Sequence, residues 1–161
     1  MKRIYMPRIV VRDGSKESNI PNVFSVALEE CKRLKTNKLA IITEATDHLS
    51  GFDFGGIITR DDAKRLERDK EIKIKNFGIF LLHYTINTAQ KNTMPRVGLA
   101  YSVSCESLNT LNSLPFDCLI FTPHMENECR AWAEKWNAEY MENYSPTTRT
   151  HPSAANSGTV E

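Results

Sequence analysis

Long apolar runs are missing from this 161-residue chain, and none approaches the ~18 residues of a membrane span. The opening MKRIYMPRIVVRDG is basic and then apolar, but Arg12 and Asp13 interrupt it before it reaches the length of a signal core. A cytoplasmic protein that does not enter membranes is therefore expected. Excess charge is missing too. Lys plus Arg total 21 against 20 for Asp plus Glu, with no block of one sign, so nucleic acid is not an expected partner. The four cysteines, Cys31, Cys105, Cys118 and Cys129, include no C-x-x-C pair. That excludes a zinc knuckle and a thioredoxin motif, and no metal site is expected. Cys31 and Cys129 fall on apolar helix faces and Cys118 in a strand-like run, where a thiol serves as a small buried hydrophobe.

Glycine is sparse, and its pattern excludes two phosphate loops. Gly51 and Gly56 have the G-x-x-x-x-G spacing, but Ile57 and Ile58 follow where a P-loop needs Lys and Ser or Thr. No G-x-G-x-x-G occurs. The cofactor is accordingly unknown.

What is present is an alternation of strand and helix signals. RIYMPRIVV (Arg3 to Val11) reads as a first strand, with Pro7 suggesting an edge position. Asn22 caps a helix to about Leu34, carrying Val23, Ala27, Cys31 and Leu34 at helical spacing. KLAIIT (Lys38 to Thr43) is continuously apolar, as in a strand buried on both faces. Thr59 with Asp62 resembles a capping box, and the charged helix it starts turns only Ala63 and Leu66 inward. EIKIK and Ile79 to Leu82 read as strands separated by a turn or bulge at Asn76 to Gly78. RVGLAYSV is a strand, CESLNTLNSL a helix and DCLIFT the last strand. Thr122 and Pro123 then have the character of N-cap and first residue of a final helix with a Cys129, Trp132, Trp136, Tyr140 stripe.

This pattern predicts an α/β domain over 1–144: a three-layer, Rossmann-like sandwich around a mixed, mostly parallel sheet of about five strands with flanking helices. Residues 145–161 form a polar tail too poor in apolar side chains to pack. Thr85 to Arg96 shows no helix, and a parallel pair needs a crossover of a dozen or more residues. The strands on either side of it are expected to be antiparallel neighbours.

Candidate chemistry lies at the strand ends, because open α/β sheets bind ligands at their carboxyl edge. His48, His83 and His124 fall there, with Glu44, Asp47 and Cys105 at comparable positions. Histidines beside carboxylates suit general acid–base work. A common site for His83 and His124 would require an extra reversal at Asn76 to Gly78. Cys105 opens a helix, where the dipole favours a thiolate, although Glu106 opposes it. RDGSKESN supplies Gly14, Ser15, Lys16 and Ser18 near a helix start, chemically suited to an anion, although a polar βα loop is the favoured reading; Asp13 and Ser15 are carried as ligand-binding candidates. Phe52 and Phe54, in a long connection hinged by Gly51, Gly55 and Gly56, are costly to leave in water and are read as a lid or interface.

The leading expectation is a domain that binds a small molecule or another copy of itself. Two alternatives are an enzyme with a His/carboxylate site at the strand ends, and an accessory protein docking through the Phe52 loop or the tail.

Overall fold

The computed structural model describes residues 3–6, 11–12, 15–16, 22–45, 49, 52, 54–123 and 126–140. Asn22 begins the first helix as its side chain predicts, accepting from the Ser25 backbone N–H. Helix α1 (Val23–Leu34) ends at Lys35, which takes a left-handed φ of 56°. There Lys35 N–H reaches the Lys32 carbonyl and Thr36 N–H the Cys31 carbonyl, the paired bonds of a Schellman cap. The Thr59–Asp62 capping box is complete at the start of α2 (Arg60–Asp69), and Leu66 is that helix's buried anchor.

The strands are β1 (Arg3–Met6), β2 (Val11–Arg12), β3 (Ser15–Lys16), β4 (Lys38–Thr43), β5 (Glu71–Ile74), β6 (Ile79–Thr85), β7 (Val97–Val103), β8 (Cys118–Pro123) and β9 (Glu139–Tyr140). Among the described residues β2 and β3 form a separate two-stranded antiparallel sheet. The rest form one sheet in the order β5-β6-β4-β7-β8-β1-β9. Only β5 runs antiparallel to its neighbour; every other pairing is parallel. The α/β class and the mixed, mostly parallel sheet thus hold. The order differs from the classic dinucleotide-binding one, which centres the first strand; here β1 lies between β8 and β9.

Strand β4 sits mid-sheet, which explains its unbroken apolar run. Leu39 and Ile41 enter a core with α1 and α2, while Ala40 and Ile42 enter a second core. That second core holds residues of α3 (Ile86–Gln90), α4 (Cys105–Asn112) and α5 (Glu126–Lys135). Gly98 in β7 leaves room for the Phe116 ring, since a Cβ there would come 2.6 Å from Phe116 Cε1. No helix among the described residues is long and apolar enough to cross a membrane.

Three expectations are corrected. Strands β6 and β7 are not antiparallel neighbours but lie parallel on either side of β4. The five-residue helix α3, capped by Thr85 and Thr88, makes their link a true crossover. Pro123 does not open a helix; it ends β8 opposite Val103, and α5 starts at Glu126. Trp132 is buried, but Trp136 lies one residue past α5 and is 43% exposed. Pro7 and the tail from Ser145 lie outside the described residues.

Candidate functional site

The reversal at Asn76 to Gly78 is real. Gly78 takes φ 64°, and β5 folds back on β6. Strands β6, β4, β7 and β8 consequently all end at one edge. From β4 the chain leaves toward β6; from β7 it leaves the opposite way, toward β8. These divergent exits make the junction of β4 and β7 the topological switch point of the sheet, the position where ligands of open α/β sheets sit.

Glu44 stands at the end of β4 at this switch point, with its side chain exposed. The Ser107 hydroxyl, from the first turn of α4, donates to Glu44 Oε1 at 2.5 Å. Ser104 caps α4 by accepting from Ser107 N–H at 3.1 Å, and its hydroxyl donates to Ser107 Oγ at 3.1 Å. Two serine hydroxyls therefore donate in line toward one carboxylate oxygen, Glu44 Oε1. Just before them, β7 bulges. Ser102 takes φ 53° and its N–H turns to Thr122 Oγ1 at 2.8 Å, so the register slips between Tyr101 and Val103. A left-handed non-glycine residue costs on the order of 1–2 kcal/mol, and such strained bulges cluster at binding edges.

His83, on β6, is 3% exposed. Its Nε2 lies 2.9 Å from Thr43 Oγ1, and the same hydroxyl lies 2.6 Å from the Ala45 carbonyl. A carbonyl only accepts, so the single Thr43 proton goes to Ala45 and the ring must donate through Nε2–H. Nδ1 is left as a bare acceptor, buried and without a hydrogen-bond partner. An unmatched buried acceptor costs about 1–3 kcal/mol. Burial, and then the Lys70 ammonium, hold the ring's pKa down to about 4.

Phe52 and Phe54 pack in the α1-side core, 8% and 7% exposed. Their rings meet edge-on at 4.6 Å, Phe54 meets Phe24 at 5.0 Å, and Phe52 meets Tyr101 at 4.8 Å. Gly55 and Gly56 take φ 64° and 75°, closing a turn from the Phe54 carbonyl to Ile57 N–H. Two successive positive φ values are what a type I′ turn demands and glycine supplies. The same two rings line a cavity of ≈470 Å³ that reaches Arg60 and Lys64 of α2. A larger one, ≈980 Å³, lies at the opposite, amino edge of the sheet among Lys32, Lys35, Phe77 and Arg96.

Of the candidate residues, Glu44, His83 and Cys105 come to the carboxyl edge around the end of β4. Cys105 is the first residue of α4, half-buried with a free thiol. Asp13, Asp47, His48 and His124 lie outside the described residues, although β8 does end at the same edge as β6. Ser15 belongs to the β2–β3 hairpin instead of a loop. Among the described residues no three His, Cys, Asp or Glu side chains come together to hold a metal. Thr43, Ser102, Ser104 and Ser107 were not singled out from sequence. Of these, Ser104-x-x-Ser107 ahead of Leu108 carries a readable capping signal. Comparison with protein-family models, with curated proteins and with solved structures finds no match to this chain.

Proposed function

We propose that this chain is a small-ligand-binding domain whose site is the crevice between the ends of β4 and β7. One observation carries the reading: where the chain's path diverges, an exposed carboxylate, Glu44, is held in place by Ser107 and Ser104. A fixed carboxylate oxygen beside serine hydroxyls suits a polar metabolite that donates hydrogen bonds, through hydroxyl or amine groups. Tyr101, which meets Phe52 edge-on, supplies an aromatic wall at the end of β7.

Binding is favoured over catalysis. Ser107 is only 9% exposed and spends its proton on Glu44, which makes it a positioning group and not a nucleophile. A protein-docking module is disfavoured by the separation of the two exposed large hydrophobic residues among those described. Phe77 lies at the β5–β6 turn and Trp136 just before β9, at opposite ends of the sheet. A cytoplasmic setting fits the free thiols. Burial pushes the Cys31 thiol up to about 12 and raises Cys118 as well, which keeps both thiols protonated and poorly reactive.

A thermal-shift screen of polar metabolites tests this. A ligand at ~100 times its Kd stabilises by about 2.7 kcal/mol, or roughly 5–10 °C for a chain of this size. Glu44→Gln should remove the shift while leaving the unliganded Tm within about 2 °C, because Glu44 is exposed. Hits that keep their full shift in Glu44→Gln would place the site elsewhere.

A further inference from the structure

On the far side of β4, the end of β6 carries a feature that the crevice between β4 and β7 does not use. A cavity of ≈230 Å³ is lined by Lys70, His83, Tyr84, Thr85, Thr88 and Asn92. At about 30 Å³ per water, this is the room of roughly eight waters, enough for a compact organic acid. Among the described residues its lining has one cation, Lys70, and no carboxylate. Glu71 acts on Tyr84 from outside that lining.

The polar groups of the wall are already arranged. Thr88 N–H and Thr85 Oγ1 cap α3 together at 3.3 Å. Asn92 Nδ2 donates to the Thr88 carbonyl at 2.7 Å. Lys70 Nζ donates one proton to the Glu67 carbonyl at 2.7 Å and retains two. His83 differs from all of these. Thr43 forces its proton onto Nε2, so Nδ1 is an acceptor only, and it has no hydrogen-bond partner. Burial holds the ring neutral at pH 7, so Nδ1, which has almost no exposed surface of its own, offers a lone pair to a donor seated against the ring. That donor belongs to an uncharged group, because an ammonium would be repelled by Lys70.

We infer that this cavity is a second binding site, for a small hydroxycarboxylate whose hydroxyl donates to His83 Nδ1 and whose carboxylate meets Lys70. The inference stands apart from the crevice at Glu44, since it uses neither Glu44 nor α4.

The test is a titration of the whole chain with lactate and, separately, with propionate. The two acids share charge and carbon count and differ by one hydroxyl. The readout is the ¹⁵N resonance of His83 Nδ1, assigned through its ring protons. Lactate should move that resonance saturably in the direction of an accepting nitrogen. Propionate, which leaves Nδ1 unpaired, should bind about tenfold weaker or not at all, a factor that corresponds to about 1.4 kcal/mol. Lys70→Met, at an exposed position, should keep the fold and weaken lactate several-fold. An Nδ1 resonance that ignores lactate overturns the proposal. So do equal responses to lactate and propionate, or unchanged lactate affinity in folded Lys70→Met.

Discussion

Acidification should destabilise this protein through His83 in a way that one substitution can isolate. In the unfolded chain the ring takes a proton near pH 6.5; in the folded chain it resists until about 4, being buried and near Lys70. Between those values the unfolded state binds more protons, so stability rises with pH across the window. The contribution is complete above pH 6.5 and is lost as the pH falls toward 4. The difference of about 2.5 pKa units between 6.5 and 4 amounts to about 3 kcal/mol at most. Near pH 4.5 about 2.5 kcal/mol of it is gone. Carboxylates titrate in the same range, so the comparison is with His83→Gln, whose amide can still donate to Thr43 without taking a proton. Urea melts of both proteins at pH 7.5 and pH 4.5 give the double difference, and contributions from the other histidines and the carboxylates cancel. The parent should lose about 2.5 kcal/mol more than the variant. Equal losses would show that His83 is solvated or already charged in the folded state, and the tautomer argument would fail with it.

Three further outcomes follow from the packing. Gly98→Ala should cost about 1–3 kcal/mol in a chemical melt, because its Cβ would sit 2.6 Å from Phe116 Cε1; a neutral change would mean that the ring does not occupy that groove. Phe54→Ser should destabilise the whole domain by at least about 3 kcal/mol and speed amide exchange in β4 as well as in its own loop, since the ring packs on Phe24 and Phe52; exchange confined to the loop would restore a gating role. Trp132→Ala, which removes the edge-on contact with Phe121 and the 2.7 Å bond to Asn109, should cost about 3–5 kcal/mol, whereas Trp136→Ala should cost under about 1; similar costs for both would contradict the placement of Trp136.

What could be read from the chain alone was local. Asn22 and the Thr59–Asp62 box announce their helices because a cap bonds within three residues. KLAIIT identifies itself as a central strand because both its faces are apolar. Local rules fail where an element is shorter than they assume. Helix α3 has five residues, too few to show a 3.6-residue stripe, so a crossover looked like a hairpin. The Trp132–Trp136 stripe ran one residue past the end of its helix. The site itself rests on pairings that no local pattern contains. Glu44 and Ser107 are 63 residues apart, and Thr43 and His83 are 40 apart. The strand ends alone pointed to Glu44, His83 and Cys105, whereas the serines that hold Glu44 emerge only once β4 and β7 are neighbours.

A ligand is expected to enter between the ends of β4 and β7. Amide chemical-shift mapping with the best-stabilising metabolite from the screen addresses it most directly. The largest changes should fall on Glu44, on Tyr101 to Ser107 and on Thr122, and they should vanish in Glu44→Gln. Changes concentrated instead on Lys32, Lys35, Phe77 and Arg96, around the large cavity at the amino edge, would contradict the account.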